Sequence, residues 1–327
     1  AAYLEDGAVT GATILAGGAV TLTAGKQFLL TISAYAIGSS FIVGVGAGAG
    51  IVVVTDGGGA TAYLGTNSHV GRPGSSVGSV SLSATHTASV HEFANASVNV
   101  LALGNGGAGV GIAAGVLVIT IGASAASVAS AEVRRGTLIY ATGTVRVAST
   151  FTPTVVAHAA GGAGGLVIAV GAVVVHITIA GLVLAAVRDA VRIEAGSLEI
   201  AASDTVDATA ELVAVAIGLF GGSGARIDVD VDVHTRAFVG STAGVTTTLA
   251  TGGSISLLAT SSRTLSAYSH GGAGGAAAVS FLIASANQTG STEAGILGNT
   301  AILRALGVSV TADLLSATST ATVVVGS

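Results

Sequence analysis

Cysteine, methionine and tryptophan do not occur in this chain of 327 residues, and proline occurs only at Pro73 and Pro153. Zero cysteine excludes a disulfide framework and any thiolate metal centre, and leaves the redox compartment open. Charged residues make up 8% of the chain, against about 25% in an ordinary soluble domain. The eleven Lys and Arg residues are scattered and the net charge is −5, so the basic stripe that nucleic-acid recognition needs is missing. Aromatic residues are 4% of the total. That is too few, and too irregularly placed, for the two girdles of an outer-membrane β-barrel, which alternating strands would otherwise suit. The sequence opens without an initiator Met or a signal peptide, which reads as a processed product or an internal piece of a longer chain.

What fills the chain is Ala, Val, Ile, Leu, Ser, Thr and 50 Gly, giving a mean hydropathy of +0.84. Val, Ile and Thr favour pleated, tightly packed strands. So few ionic groups cannot coat a compact monomer, so the strands are expected to be buried on both faces or to pack laterally against copies of the chain. Ala159 to Val187 and Leu101 to Ser130 carry no Asp, Glu, Lys or Arg, and each is long enough to cross a bilayer, for which about 20 residues suffice. Their Val-Val-Val and Ile-Thr-Ile runs are poor helix formers. Both sit at one place in a repeat whose other copies are more polar, so strands are expected there and no transmembrane helix.

The repeat is the strongest signal. Gly-x-apolar-x-apolar recurs from Gly18, Gly78, Gly143, Gly196 and Gly253 and, offset by one residue, from Gly307, in steps of 53 to 65 residues. A Gly-rich marker accompanies it at Gly46, Gly106, Gly161, Gly221 and Gly271. Two markers at one loose period define an array of one supersecondary unit. The expectation is a single array over 1–327, with units 18–77, 78–142, 143–195, 196–252 and 253–306 and a partial unit 307–327. Within a unit, period-two alternation as in Val20-Thr21-Leu22-Thr23 predicts one face inward and one outward. A Gly-rich corner follows, and then a strand such as Leu166 to Ile179, apolar at odd and even positions, which predicts burial on both faces. The fold class is all-β: an elongated, β-solenoid-like stack of units of ~50–65 residues, with parallel coils and hairpin layers both open.

The GxVxVxA strand, the GGAGG corner and the following GLVIAVGAVVV or GVGIAAGVLVI strand resemble the β-strand repeats of giant bacterial filamentous adhesins, the leukotoxin-type surface proteins. The resemblance covers nearly the whole chain and implies an extracellular or cell-surface stalk or fibre segment without catalysis of its own. This chain is poorer in Asn, Asp and Lys than such repeats, which favours a laterally packed sheath or filament wall.

Residues with possible chemistry are few. Gly221-Gly222-Ser223-Gly224 begins like the calcium-binding nonapeptide GGxGxDxUx, but Arg226 stands at the Asp position. From Arg226 to Arg236, strict alternation places Asp228, Asp230 and Asp232 on one face with His234, and Ile227, Val229, Val231 and Val233 on the other. The carboxylates fall about 7 Å apart along the strand. They are the only candidate metal ligands, and the reading favoured is a solvated face flanked by compensating arginines. Nine of the sixteen carboxylates fall between Asp189 and Asp232, an acidic stretch that suggests an exposed stripe or a charged subunit contact. His86, His91 and Glu92 lack the spacing of a helical zinc pair, and His176 reads as a hydrogen-bonded interior residue. Gly74-Ser75-Ser76-Val77-Gly78 matches the nucleophile elbow formally but leads into a repeat strand rather than a helix. Gly44 to Ala49 mimics a dinucleotide fingerprint with no helix behind it. Asn95 and Asn287 open glycosylation sequons.

No enzyme and no cofactor are expected. The leading expectation is a non-catalytic structural repeat segment of an extracellular fibre, sheath or adhesin stalk. Its partners would be copies of itself or other parts of a longer chain. One alternative is a solenoid binding module for carbohydrate or ice, with Thr246-Thr247-Thr248 and Ser316 to Thr322 as hydroxyl-bearing candidates. The other is an outer-membrane β-barrel.

Overall fold

A computed structural model describes residues 2–4, 12–15, 17–40, 45–90, 97–106, 109–240 and 245–326, and they form β-strands joined by corners and turns. The first coil carries β1 (Ala2–Leu4), β2 (Thr13–Ile14), β3 (Ala19–Leu30) and β4 (Ile32–Ser40). The second carries β5 (Val45–Asp56), β6 (Ala60–Leu64), β7 (His69–Val70), β8 (Ser79–Val90) and β9 (Ser97–Gly106). The third has β10 (Val110–Val133), β11 (Leu138–Tyr140) and β12 (Thr144–Gly165), and the fourth β13 (Ile168–Val187), β14 (Arg192–Ala195) and β15 (Ser197–Ile217). The fifth has β16 (Phe220–Val239), β17 (Thr247–Thr251) and β18 (Ser254–Gly274). The sixth has β19 (Ala277–Thr289), β20 (Thr292–Ile296), β21 (Thr300–Arg304) and β22 (Gly307–Gly326).

Each coil visits three sheets in turn, and every pairing between these strands is parallel. The first sheet runs β1-β6-β10-β13-β16-β19, with β5 and β20 extending it; the short second sheet runs β2-β7-β11-β14-β17-β21. The third runs β3-β8-β12-β15-β18-β22, with β9 pairing β12 and β4 pairing β9. This is a parallel β-solenoid, which settles the choice between coils and hairpin layers. A long strand such as β13, of 20 residues, spans about 66 Å, and each coil adds about 4.8 Å to the stack. The repeat strands occupy equivalent places as the sequence predicts. Val20, Val80, Val145, Leu198, Ile255 and Val308 form one register column across six coils.

The two long sheets face one another and bury one continuous core, from Val20 to Ala267. The short sheet closes one margin with Val70, Ile139, Ile193 and Leu249, and the Gly-rich corner closes the other. The molecule is thick at the first margin and thin at the second. Leu82, Leu117, Ile119 and Phe151 fill the thick part, whereas Ala113, Ala163, Ala169 and Ala216 make a small separate cluster near the corner. There the backbones themselves meet. A Cβ on Gly171 of the first sheet would lie 2.7 Å from the Val215 carbonyl oxygen of the third, and one on Gly271 would lie 2.9 Å from the Leu282 side chain opposite. The corner glycines thus serve close approach more than left-handed turns. They also mark two places. Gly161 to Gly165 and Gly271 to Gly274 end strands of the third sheet, whereas Gly221 to Gly224 begin a strand of the first.

One expectation is overturned. The strand from Leu166 to Ile179 is buried on one face only, with Val170 42% and Val174 37% exposed while Val173 and Val175 are buried. Its outward residues are apolar because the outer surface itself is apolar there. The strand from Arg226 to Arg236 does alternate as predicted, with Ile227, Val229, Val231 and Val233 inside. Ala159 to Val187 folds as the end of β12, a corner and β13, and among the described residues no helix is long and apolar enough to cross a membrane.

Candidate functional site

Four arrangements gather the residues that could act on a partner. The first is the charged row on the outer face of β16. Arg226 Nε donates to Asp228 at 2.6 Å, and the pairing raises the arginine pKa. Asp230 accepts from Asn287 Nδ2 at 2.8 Å in the next coil, and His176 Nδ1 stands 4.0 Å away. Asp232 accepts from Thr289 Oγ1 at 3.1 Å, with His234 Nε2 at 3.6 Å. Arg236 faces Glu293 at 3.3 Å. The Glu293 pKa is held below the usual carboxylate value by the Ser291 hydroxyl, with Arg236 adding to the effect. Each of the three carboxylates has a partner beside it. Among the described residues no group of three or more His, Cys, Asp or Glu comes together that could hold a metal ion. His176 is not interior: its ring lies on this outer face, 3.0 Å from Thr178 Oγ1.

The second arrangement is buried and was not foreseen. Lys26, His86, Phe151, Asp204 and Ser261 are successive rungs of one inward column of the third sheet. Opposite them the first sheet is broken at Gly57 to Gly59 and at Gly290 (φ 105), its pairing shifts register after Gly122 (φ 74), and β13 runs through Gly181 (φ 154) without a break. The interruptions free backbone carbonyls, and a buried carbonyl needs a donor. Arg263, next but one to Ser261 on β18, supplies two: its guanidinium donates to Val233 O at 2.7 Å and to Thr289 O at 2.8 Å. Its charge is met by Asp204, which accepts from Arg263 Nε at 2.9 Å and from the hydroxyls of Ser261 and Thr235. At the other end of the column, Asp56 pairs with Lys26 and accepts from His86 Nε2 at 2.9 Å. An ionised carboxylate can only accept, so Nε2 carries the proton. Burial pushes the Asp56 pKa up, but the hydrogen bonds from Lys26 and His86 outweigh it and the net shift is down. Burial also lowers the His86 pKa, only partly offset by Asp56. Asp56, His86, Asp204 and Arg263 are buried while Lys26 is partly exposed, and their hydrogen bonds tie the two long sheets together across the core. The acidic stretch from Asp189 to Asp232 is accordingly mixed, with Asp204 inside and Asp207 outside.

The third arrangement covers the outer face of the third sheet with hydroxyls. Thr85, Thr150, Ser203 and Thr260 form one column, Thr87, Thr152, Thr205, Ser262 and Ser316 the next, and Ser89, Thr154, Asp207, Thr264 and Thr318 a third. Each position is outward and partly or fully exposed. Some neighbours bond across coils, Ser203 to Thr150 at 3.3 Å and Ser262 with Ser316 at 3.1 Å. The hydroxyls therefore lie on a grid of about 4.8 Å by about 6.7 Å. The Ser316 to Thr322 candidate belongs to this face. Thr247 does not: it is buried in the short sheet and donates to Arg188 O at 3.0 Å.

The fourth is the outer surface flanking the thin corner. Ile51, Val53, Ile112, Ile168, Val170, Val174, Phe220, Val279 and Phe281 are all exposed on the first sheet there, with Val213, Val215 and Ile217 on the third. Gly74 (φ 78) lies in a tight turn closed by reciprocal Arg72 and Ser75 backbone bonds, and the chain then enters β8, so no nucleophile elbow forms. Gly44, His91, Glu92 and Asn95 lie outside the described residues. Comparisons of the chain with protein-family models, curated proteins and solved structures return no match.

Proposed function

We propose that this chain is a non-catalytic structural repeat segment of an extracellular or cell-surface fibre, sheath or adhesin stalk, and that it associates with copies of itself or with other parts of a longer chain. The observation that carries this reading is the residue-for-residue register of the coils in three parallel sheets. A stack in which every coil repeats the last adds length without altering its cross-section, and each coil buries its core only against its neighbours. The charge-poor composition and the resemblance to filamentous adhesin repeats support it further. Sedimentation and electron microscopy over a wide concentration range test it. Filaments or lateral assemblies are expected; compact particles of one chain's mass at every concentration would refute it.

The hydroxyl grid favours a second reading, a solenoid module for an ordered hydroxyl-bearing surface such as ice or a carbohydrate. Thermal hysteresis and glycan-array binding test that, and null results in both would remove it.

A further inference from the structure

Resting on the self-association reading, we infer that the apolar half of the first sheet's outer face is the contact surface, and that its occupant is the same half-face of a second copy. Along the strands the outer face changes character within about one column of a common place. Ile112, Val170, Gly222 and Val279 share a column, as do Ala114, Ala172, Gly224 and Phe281, and Val116, Val174, Arg226 and Ile283 form the last before polarity begins. The next column holds Val53 and Val118 with His176, Asp228 and Ser285, and the one after is polar throughout, with Thr55, Thr120, Thr178, Asp230 and Asn287. The apolar half therefore measures about 20 Å along the strands and about 24 Å across five of them, roughly 500 Å² per copy. Two such halves face to face remove about 1,000 Å² in all, the lower bound for a specific interface, and about 500 Å² is the size of the largest, often functional, apolar patch on a monomer.

The chemistry points to protein rather than lipid. Ala and Gly alternate with Val and Ile, so the surface is flat enough for sheet-on-sheet packing at about 10 Å. Among the described residues Lys is absent from it, Arg226 stands only at its rim, and no Tyr or Trp flanks it as a membrane-interface anchor would. The acidic row sets the arrangement. Overlaying two copies in full would oppose Asp228, Asp230 and Asp232 to their own images, whereas a twofold axis through the centre of the apolar half leaves each row outside the rim of the other copy. Contact of this kind is not weakened by salt, since screening relieves only repulsion between the rows.

The test is sedimentation velocity on the full chain and on Val170→Asp/Val174→Asp. Both positions face outward, so the monomer should fold, and circular dichroism with proteolysis checks it. Val174→Thr alone is a gentler companion, and Thr152→Asp on the opposite outer face is the control. Self-association should weaken at least about tenfold in the double variant, as burying an unpaired charge requires, and measurably in Val174→Thr. It should hold in the control and persist at 1 M salt. A wild-type chain that stays monomeric refutes the self-association reading itself. A wild type that associates while the double variant associates equally well overturns this surface assignment alone. Co-flotation with phosphatidylcholine vesicles in place of self-association would show that lipid occupies the face, and would also overturn it.

Discussion

Asp204→Ala should be among the most damaging single changes available in this chain. The carboxylate is buried and accepts from four donors: Arg263 Nε, Arg263 Nη2 at 3.2 Å, and the hydroxyls of Ser261 and Thr235. Removing it leaves a guanidinium that is 3% exposed with no anion beside it, only the Val233 and Thr289 carbonyls and the Ser261 hydroxyl. Breaking a buried pair from one side costs about 3–5 kcal/mol. Asp204→Leu/Arg263→Met should cost less than the single change. It removes both charges, and the neighbouring rung, Phe151, shows that the column accepts an apolar side chain. What remains is the two carbonyls and the Ser261 and Thr235 hydroxyls without their charged partners, all neutral groups, and no unpaired buried charge. Urea unfolding followed by circular dichroism measures the total, and strand-resolved hydrogen exchange locates it. Because each coil touches only its neighbours, lost protection should centre on β15, β16 and β18 and spare β3. A cost under about 1 kcal/mol for Asp204→Ala, or a double variant as damaged as the sum of the two singles, would refute the reasoning.

The other expectations follow from single observations. Gly122→Ala should cost several kcal/mol, because φ is 74° and the new Cβ would sit 2.0 Å from the Ala180 oxygen, whereas Gly25→Ala, with nothing within 4 Å, should be neutral or stabilising in thermal melts. Ala190 has φ 55°, so Ala190→Gly should stabilise by about 1 kcal/mol in the same assay. Val173→Thr should cost about 1–3 kcal/mol by burying a hydroxyl, while Val174→Thr, on the outward side of the same strand, should leave monomer stability nearly unchanged in urea melts. Stability should fall on acidification in two stages. His86 has a lowered folded pKa, so its contribution is complete above about pH 6.5, where the unfolded imidazole titrates, and is lost as pH drops toward the folded value. Asp56 and Glu132 are also lowered, Glu132 because the Arg188 bond outweighs its burial, so their share persists to about pH 4 and is lost below. Melting temperatures of wild type and His86→Phe between pH 8 and 3 should differ in the first stage.

The array, its strand positions and its register were legible because one strand per unit announces itself with glycine and strict alternation. The double burial expected from Leu166 to Ile179 failed for a physical reason. An apolar residue on an outward position looks, in one strand, the same as one on an inward position. The next coil held the correction, since register aligns Val174 with Arg226 and His176 with Asp228, and charged partners in a column mean solvent. The hydroxyl grid was legible in the same way. Thr85, Thr150, Ser203 and Thr260 each stand seven residues after a repeat glycine, though no single strand makes them conspicuous. The buried column was not legible. Lys26, His86 and Asp204 fall on inward positions of alternating strands, but the reason they are tolerated lies across the core. It is the interrupted first sheet and its unpaired carbonyls, and no spacing along one strand reports on the sheet opposite.

The interrupted strands also bear on why the two halves of each coil present such different surfaces. At the interruption, large and polar side chains fill the space between the long sheets; toward the corner Ala113, Ala163, Ala169 and Ala216 bring the backbones almost together. An interior of alanine and glycine buries little apolar area per residue, so the thin half gains less from its own core than the thick half does, at about 25 cal/mol per Å². It is also the half whose outer face carries Val170, Val174, Val279 and Phe281. Covering that face by another protein surface would give the thin half the apolar burial that its own interior lacks. The weak core and the apolar exterior are thus the inner and outer sides of the same thin half, and the proposed contact surface lies where the chain's own interior contributes least.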